Sequence, residues 1–153
     1  MIQRIQTVYL FVALVLTALC LCLPVAGFEP EGMGSDSVMY NLWMTLPDGM
    51  RCWSPWPLFA ILILSCPICV FAIFSYKNRK TQAKLCMLCL LLNIAWVAVY
   101  AVMFYLKAGE DGVETGVIRF AACLPVISIV LYFLARKAIK ADEKLVSDMD
   151  RLR

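Results

Sequence analysis

The chain contains no histidine. That absence removes the usual general base of a nucleophilic triad and the commonest nitrogen ligand of a metal site. Charge is scarce as well: 16% of the 153 residues are Asp, Glu, Lys or Arg, against about a quarter in a soluble domain. There is no glycine-rich phosphate loop, and the long apolar runs hold no pair of carboxylates. These gaps exclude the common soluble hydrolases, the phosphate-loop enzymes and histidine-based metal catalysis, and no cofactor is implied. The net charge of +3 is small and its basic residues sit at the ends of apolar segments, so no nucleic-acid partner is implied either.

What is present is apolar: 63% of the residues are hydrophobic. They are gathered into long blocks instead of recurring at helical spacing among polar ones, which is the pattern of membrane spans. The expected fold is an all-α membrane protein over 1–153, a four-transmembrane-helix bundle with spans at about 8–27, 57–76, 85–106 and 117–134. Val8 to Gly27 carries no charge and as a helix reaches ~30 Å, the thickness of the hydrocarbon core. A cleaved signal peptide is the rival reading of this segment, with Arg4 as its basic lead and Pro24-Val25-Ala26-Gly27 as a small-residue site. The run exceeds the ~7 to 15 residues of a typical signal core, which favours a span. In the last span Arg119 lies near the outer end and can snorkel to headgroups.

Between the spans the composition shifts. Residues 28–56 and 107–116 form loops rich in Gly, Pro and acids, whereas Tyr76 to Lys84 places Lys77, Arg79, Lys80 and Lys84 together without an acid. Seven of the eleven acids fall on the side of the two long loops, and most of the bases fall on the other. By the positive-inside rule, 77–84 is a cytoplasmic loop, both termini are cytoplasmic, and 28–56 and 107–116 are outer loops. In the first outer loop Val38, Tyr40, Leu42, Met44 and Leu46 alternate as on one face of a strand. Pro47-Asp48-Gly49 supplies a turn, and Met50 to Trp53 returns, giving a small outer β-hairpin. Trp43, Trp53 and Trp56 would sit at headgroup level.

The tail, 136–153, is expected to continue from the last span as an amphipathic helix. Ile139, Leu145 or Val146, Met149 and Leu152 recur at helical spacing, with Asp142, Glu143, Lys144, Asp148 and Arg151 elsewhere on the wheel. Such a helix can rest on the lipid interface or serve as a docking handle. The candidate interaction surface is therefore Lys77, Arg79, Lys80, Lys84, Arg136, Lys140 and Lys144. The expected partners are the lipid bilayer and either another membrane protein or a second copy of the chain.

Three stretches carry a resemblance: Met1-Ile2-Gln3-Arg4-Ile5-Gln6-Thr7-Val8-Tyr9-Leu10, then Tyr76-Lys77-Asn78-Arg79-Lys80 with Gln82 and Leu85-Cys86, and finally Ala135 to Val146 with Asp150-Arg151-Leu152-Arg153. Together they resemble a bacterial membrane family known as domain of unknown function 4293. The resemblance implies a four-span protein of the bacterial cytoplasmic (inner) membrane, from the Bacteroidetes group. It brings no reaction, ligand or catalytic residue.

Two constellations could carry chemistry. Cys66-Pro67-Ile68-Cys69 and Cys86-Met87-Leu88-Cys89 are paired C-x-x-C motifs sixteen residues apart, a spelling shared by zinc sites and thiol oxidoreductases. Within spans, however, the four lie ~12, ~16, ~3 and ~7.5 Å (Cys69, Cys66, Cys86, Cys89) from the cytoplasmic loop. That offset suits neither a four-thiol cage nor easy disulfides, and only Cys69 and Cys89 are near level. Small apolar packing is the plainer reading of these thiols. The second constellation is a transport path, for which the spans offer only Asn93, Ser65, Ser128 and Thr17, with Pro67 and Pro125 near mid-membrane. Asn93 reads as interhelical hydrogen-bond glue. The functional expectation is a non-enzymatic accessory or scaffold subunit of a membrane complex. A thiol-disulfide oxidoreductase and a small-solute transporter are the alternatives.

Overall fold

The computed structural model describes residues 2–30, 36–46, 48–75, 78–109 and 113–151, with side chains for all of these except 2–4, 113–114 and 146–151. Helix α1, Ile2–Cys22, runs through a stretch free of Gly and Pro and stops before Pro24, which disfavours helical geometry in the residue ahead of it. Helix α2, Trp56–Phe74, has Pro57 in its first turn, where the missing N–H has no intrahelical partner to lose. Helix α3, Arg79–Ala108, ends at Gly109, whose N–H caps the Tyr105 carbonyl. A 3-10 turn, Phe120–Cys123, leads into α4, Leu124–Arg151.

Each helix packs against two neighbours, in the ring order α1, α2, α3, α4. This is an up-down-up-down bundle. Among the described residues four helices are long and apolar enough to cross a membrane. Large side chains such as Phe11, Phe71, Val102 and Phe133 stay exposed on their outward faces, an apolar girdle far beyond the patch size usual for a soluble protein.

The chain between the helices differs from a simple hairpin. Five short strands, β1 (Ala26–Pro30), β2 (Ser37–Met39), β3 (Met44–Thr45), β4 (Arg51–Cys52) and β5 (Val113–Ile118), form one antiparallel sheet in the order β4-β3-β2-β1-β5. The expected hairpin is its β3–β4 corner, closed by Leu46 and Met50 and by Gly49 at φ 75°, where glycine pays no steric cost. The single strand foreseen over 38–46 is instead two strands broken at Asn41, because the Asn41 side chain turns into the bundle. The segment 107–116 is not merely an acidic linker: β5, which begins in it, pairs with β1, Gly27 opposite Val117 and Glu29 opposite Thr115. Val117 and Ile118, expected at the top of the last span, belong to this strand.

One further expectation changes. Pro125 does not interrupt a span; it is the second residue of α4, a position proline tolerates. Pro67 alone lies inside a described helix. The tail continues directly from the last span, α4 being one uninterrupted helix to Arg151, while 152–153 lie outside the described residues.

Candidate functional site

The core divides into two buried clusters stacked along the bundle. The cluster at the sheet end holds Cys20, Val25, Phe28, Met39, Leu58, Leu62 and Trp96. Asn41, fully buried, joins sheet to helices: its Nδ2 donates to the Cys20 carbonyl at 2.6 Å, and its Oδ1 accepts from Trp96 Nε1 at 3.0 Å. One helical turn on, Tyr100 stacks on Trp96 with ring centroids 5.1 Å apart and donates its hydroxyl to the Val25 carbonyl at 3.0 Å. That carbonyl also accepts the Arg119 N–H at 3.1 Å. The sheet is thereby tied to α1, α3 and the start of α4 by polar bonds inside an apolar core, where each is costly to leave unmade.

The cluster at the opposite end holds Cys69, Cys86, Cys89, Tyr132, Ala135 and Ile139. All eight cysteines are free thiols. Cys69 lies beside Cys89 and Tyr132, and its Sγ points at the Leu10 carbonyl, 3.4 Å away. Cys66 is only half-buried and is not part of this buried cluster. Of the four cysteines singled out from sequence, then, Cys69, Cys86 and Cys89 are gathered into one buried cluster and Cys66 is not. No metal-holding group of His, Cys, Asp or Glu occurs among the described residues. The Tyr132 hydroxyl is near Cys69 and Thr17, yet meets no described partner at hydrogen-bond geometry.

The polar residues expected inside the spans are all buried: Thr17, Ser65, Asn93 and Ser128. Thr17 and Ser128 bond back to the carbonyls four residues earlier, which satisfies them within their own helices. Asn93 Nδ2 donates to Cys89 O at 2.9 Å and reaches Ser65 Oγ on α2 at 3.4 Å. Its main partner is therefore its own helix, and the bond across to α2 is the longer one.

The basic surface is split. Lys77 lies outside the described residues. Lys80, Lys84, Lys140 and Lys144 are exposed. Arg79 is committed inward: its Nη1 donates to the Asp142 carbonyl at 2.9 Å and lies 4.0 Å from Asp142 Oδ2. Asp142 is buried and accepts from Gln6 Nε2 at 3.0 Å, so α1, α3 and α4 are pinned at their terminal ends. Arg136 is half-buried, with a buried Nε that has no described partner. Asp142 shares the inward face with Ile139, three residues earlier, rather than the polar side of the wheel. Gln6 and Asp142 both fall in the terminal stretches that carry the family resemblance, the signal that could have singled them out. Asn41 had none, because an amide between apolar residues of a loop is commonplace.

The family described as Domain of unknown function (DUF4293) matches residues 2–152. The chain belongs to this family. No curated protein matches it.

At the sheet end an open cleft of about 500 Å³ is lined by Leu23, Pro24, Gly27, Glu29, Arg119 and Phe120, among others. Strand alternation builds it: Gly27 and Glu29 of β1, with Thr115 and Val117 of β5, share the sheet face turned away from α3. Phe28 points the other way, onto Phe104. Thr115 Oγ1 holds Glu29 Oε2 at 2.9 Å. Trp53 and Trp56 are exposed, whereas Trp43 is covered by Tyr40 on one side and lies 5.5 Å from the Arg51 guanidinium.

Proposed function

We propose that this chain is a multi-pass protein of the bacterial cytoplasmic membrane, with both termini in the cytoplasm, that acts as a non-enzymatic accessory or scaffold subunit of a membrane complex. The observation that carries the reading is the rigid seating of a five-stranded sheet on the bundle through Asn41, Trp96 and Tyr100. A sheet fixed in this way holds its outer edges, β4 and β5, at constant height and orientation, and an open strand edge is a ready surface for another chain. The exposed apolar girdle supports membrane insertion, and the excess of bases on the side opposite the sheet supports the orientation. On the cytoplasmic side Lys80, Lys84, Lys140 and Lys144 offer a second contact surface beside the bilayer.

Crosslinking in intact membranes from Cys52, on the β4 edge, followed by gentle detergent extraction and mass spectrometry tests the proposal. A reproducible adduct with one membrane protein, or with a second copy, is expected; a monodisperse monomer without adducts contradicts it. The adjacency of Cys69 and Cys89 favours one other reading, thiol-disulfide exchange. A Cys69–Cys89 disulfide isolated from the native protein would replace the scaffold by that chemistry.

A further inference from the structure

The cleft beside β1 holds charges of both signs in an apolar frame. Arg119 lines it from the end of β5, with Glu29 and Asp36 from the neighbouring strand region, while Leu23, Val117 and Phe120 form an exposed apolar rim. Arg119 is fixed at both ends. Its N–H is bonded to the Val25 carbonyl, and its guanidinium lies over Gly27, where an added Cβ would come within 3.3 Å of Nε and 3.4 Å of Nη2. Among the described residues no carboxylate lies within ion-pair distance of that guanidinium. Glu29 is oriented by Thr115. The cleft therefore presents a fork of donors and, apart from it, carboxylate acceptors, at the level where Leu23 follows α1 and Phe120 leads into α4.

We propose that this cleft binds the phosphoethanolamine headgroup of an outer-leaflet phospholipid. The phosphate takes the Arg119 guanidinium, for which planar bidentate geometry is well suited. The primary ammonium, with three N–H donors, takes Glu29 and Asp36, and the acyl chains descend over Leu23 and Phe120. A trimethylated choline has no N–H to offer these carboxylates, and a glycerol headgroup has no cation, so the cleft discriminates among lipids of similar size. This assignment rests on the membrane reading above.

The test uses the full chain in detergent, with dioleoyl phosphatidylethanolamine, phosphatidylcholine and phosphatidylglycerol in competition and retained lipid counted by native mass spectrometry. One phosphatidylethanolamine per chain is expected, preferred about tenfold over the other two, the gain of roughly one charge-assisted hydrogen bond. Arg119→Ala should lower retention of all three lipids, because each carries the phosphate that this side chain binds. Gly27→Ala, which keeps every charge but crowds the guanidinium, should lower retention as well, and Glu29→Gln should bring phosphatidylethanolamine down to phosphatidylcholine. Retention without headgroup preference, or retention unmoved by Arg119→Ala, overturns the site while leaving membrane insertion standing. Failure of the wild-type chain to fractionate with membranes and to retain any lipid overturns both. Displacement of the lipid by water-soluble glycerophosphoethanolamine at equal concentration would show that the cleft takes a soluble phosphoamine, and overturns the lipid assignment.

Discussion

Asn41 answers two elements at once from inside the core, the end of α1 through Cys20 and α3 through Trp96. Replacing it with Ala leaves the Trp96 N–H and the Cys20 carbonyl without their side-chain partner in an apolar interior. We expect a loss of about 1–3 kcal/mol in unfolding free energy, read by chemical denaturation in detergent. Adding Trp96→Phe, which removes the donor, should cost less in the Asn41→Ala background than alone, giving a measurable coupling in a double-mutant cycle. Asn93 and Asn41 also show what a sequence reveals at this scale. An amide in the middle of an apolar run is conspicuous and reads as helix-to-helix glue, as Asn93 partly is. An amide in a loop is not conspicuous, so the one that joins sheet to bundle was illegible. The paired C-x-x-C motifs were visible, and their unequal depths already separated Cys69 and Cys89 from the others; that Tyr132 joins them could come only from the packing of α4.

Individual elements were legible where their signal is local. Apolar runs marked the existence of the four helices but not all their ends, since the first stops at Cys22 with Ala26 and Gly27 already in β1, and the last begins at Leu124; the turn residues Asp48 and Gly49 marked one corner of the sheet. The pairing of β1 with β5 joins segments almost ninety residues apart and rests on a backbone register that neither strand encodes alone. Gly116 records it: a Cβ there would come within 3.0 Å of Phe104 Cζ. Gly116→Val should therefore push Phe104 aside, cost about 1–3 kcal/mol, and raise amide exchange across 26–30 and 113–118 by mass spectrometry. The first turns of the tail behave as part of the bundle through Asp142. Asp142→Ala strands Gln6 and frees Arg79 from its ion pair, and we expect faster proteolysis beyond residue 140 with the upper bundle unchanged. A tail that only rested on the lipid surface would show no such dependence on Gln6 or Asp142.

The molecule as a whole combines an apolar bundle, a sheet fixed across one end and a basic surface at the other. Both the proposed scaffold surfaces and the proposed headgroup cleft require the sheet to face outward and the basic end to face the cytoplasm. Cys52 is exposed on β4, and Lys84 is exposed near the start of α3, so the two report opposite ends. The most direct measurement is labelling of the Lys84→Cys variant with a membrane-impermeant maleimide, before and after permeabilisation, with the modified peptides mapped by mass spectrometry. We expect Cys52 to be modified in intact spheroplasts and position 84 only after permeabilisation. Modification of position 84 in intact spheroplasts, with Cys52 protected until they are opened, would contradict the account.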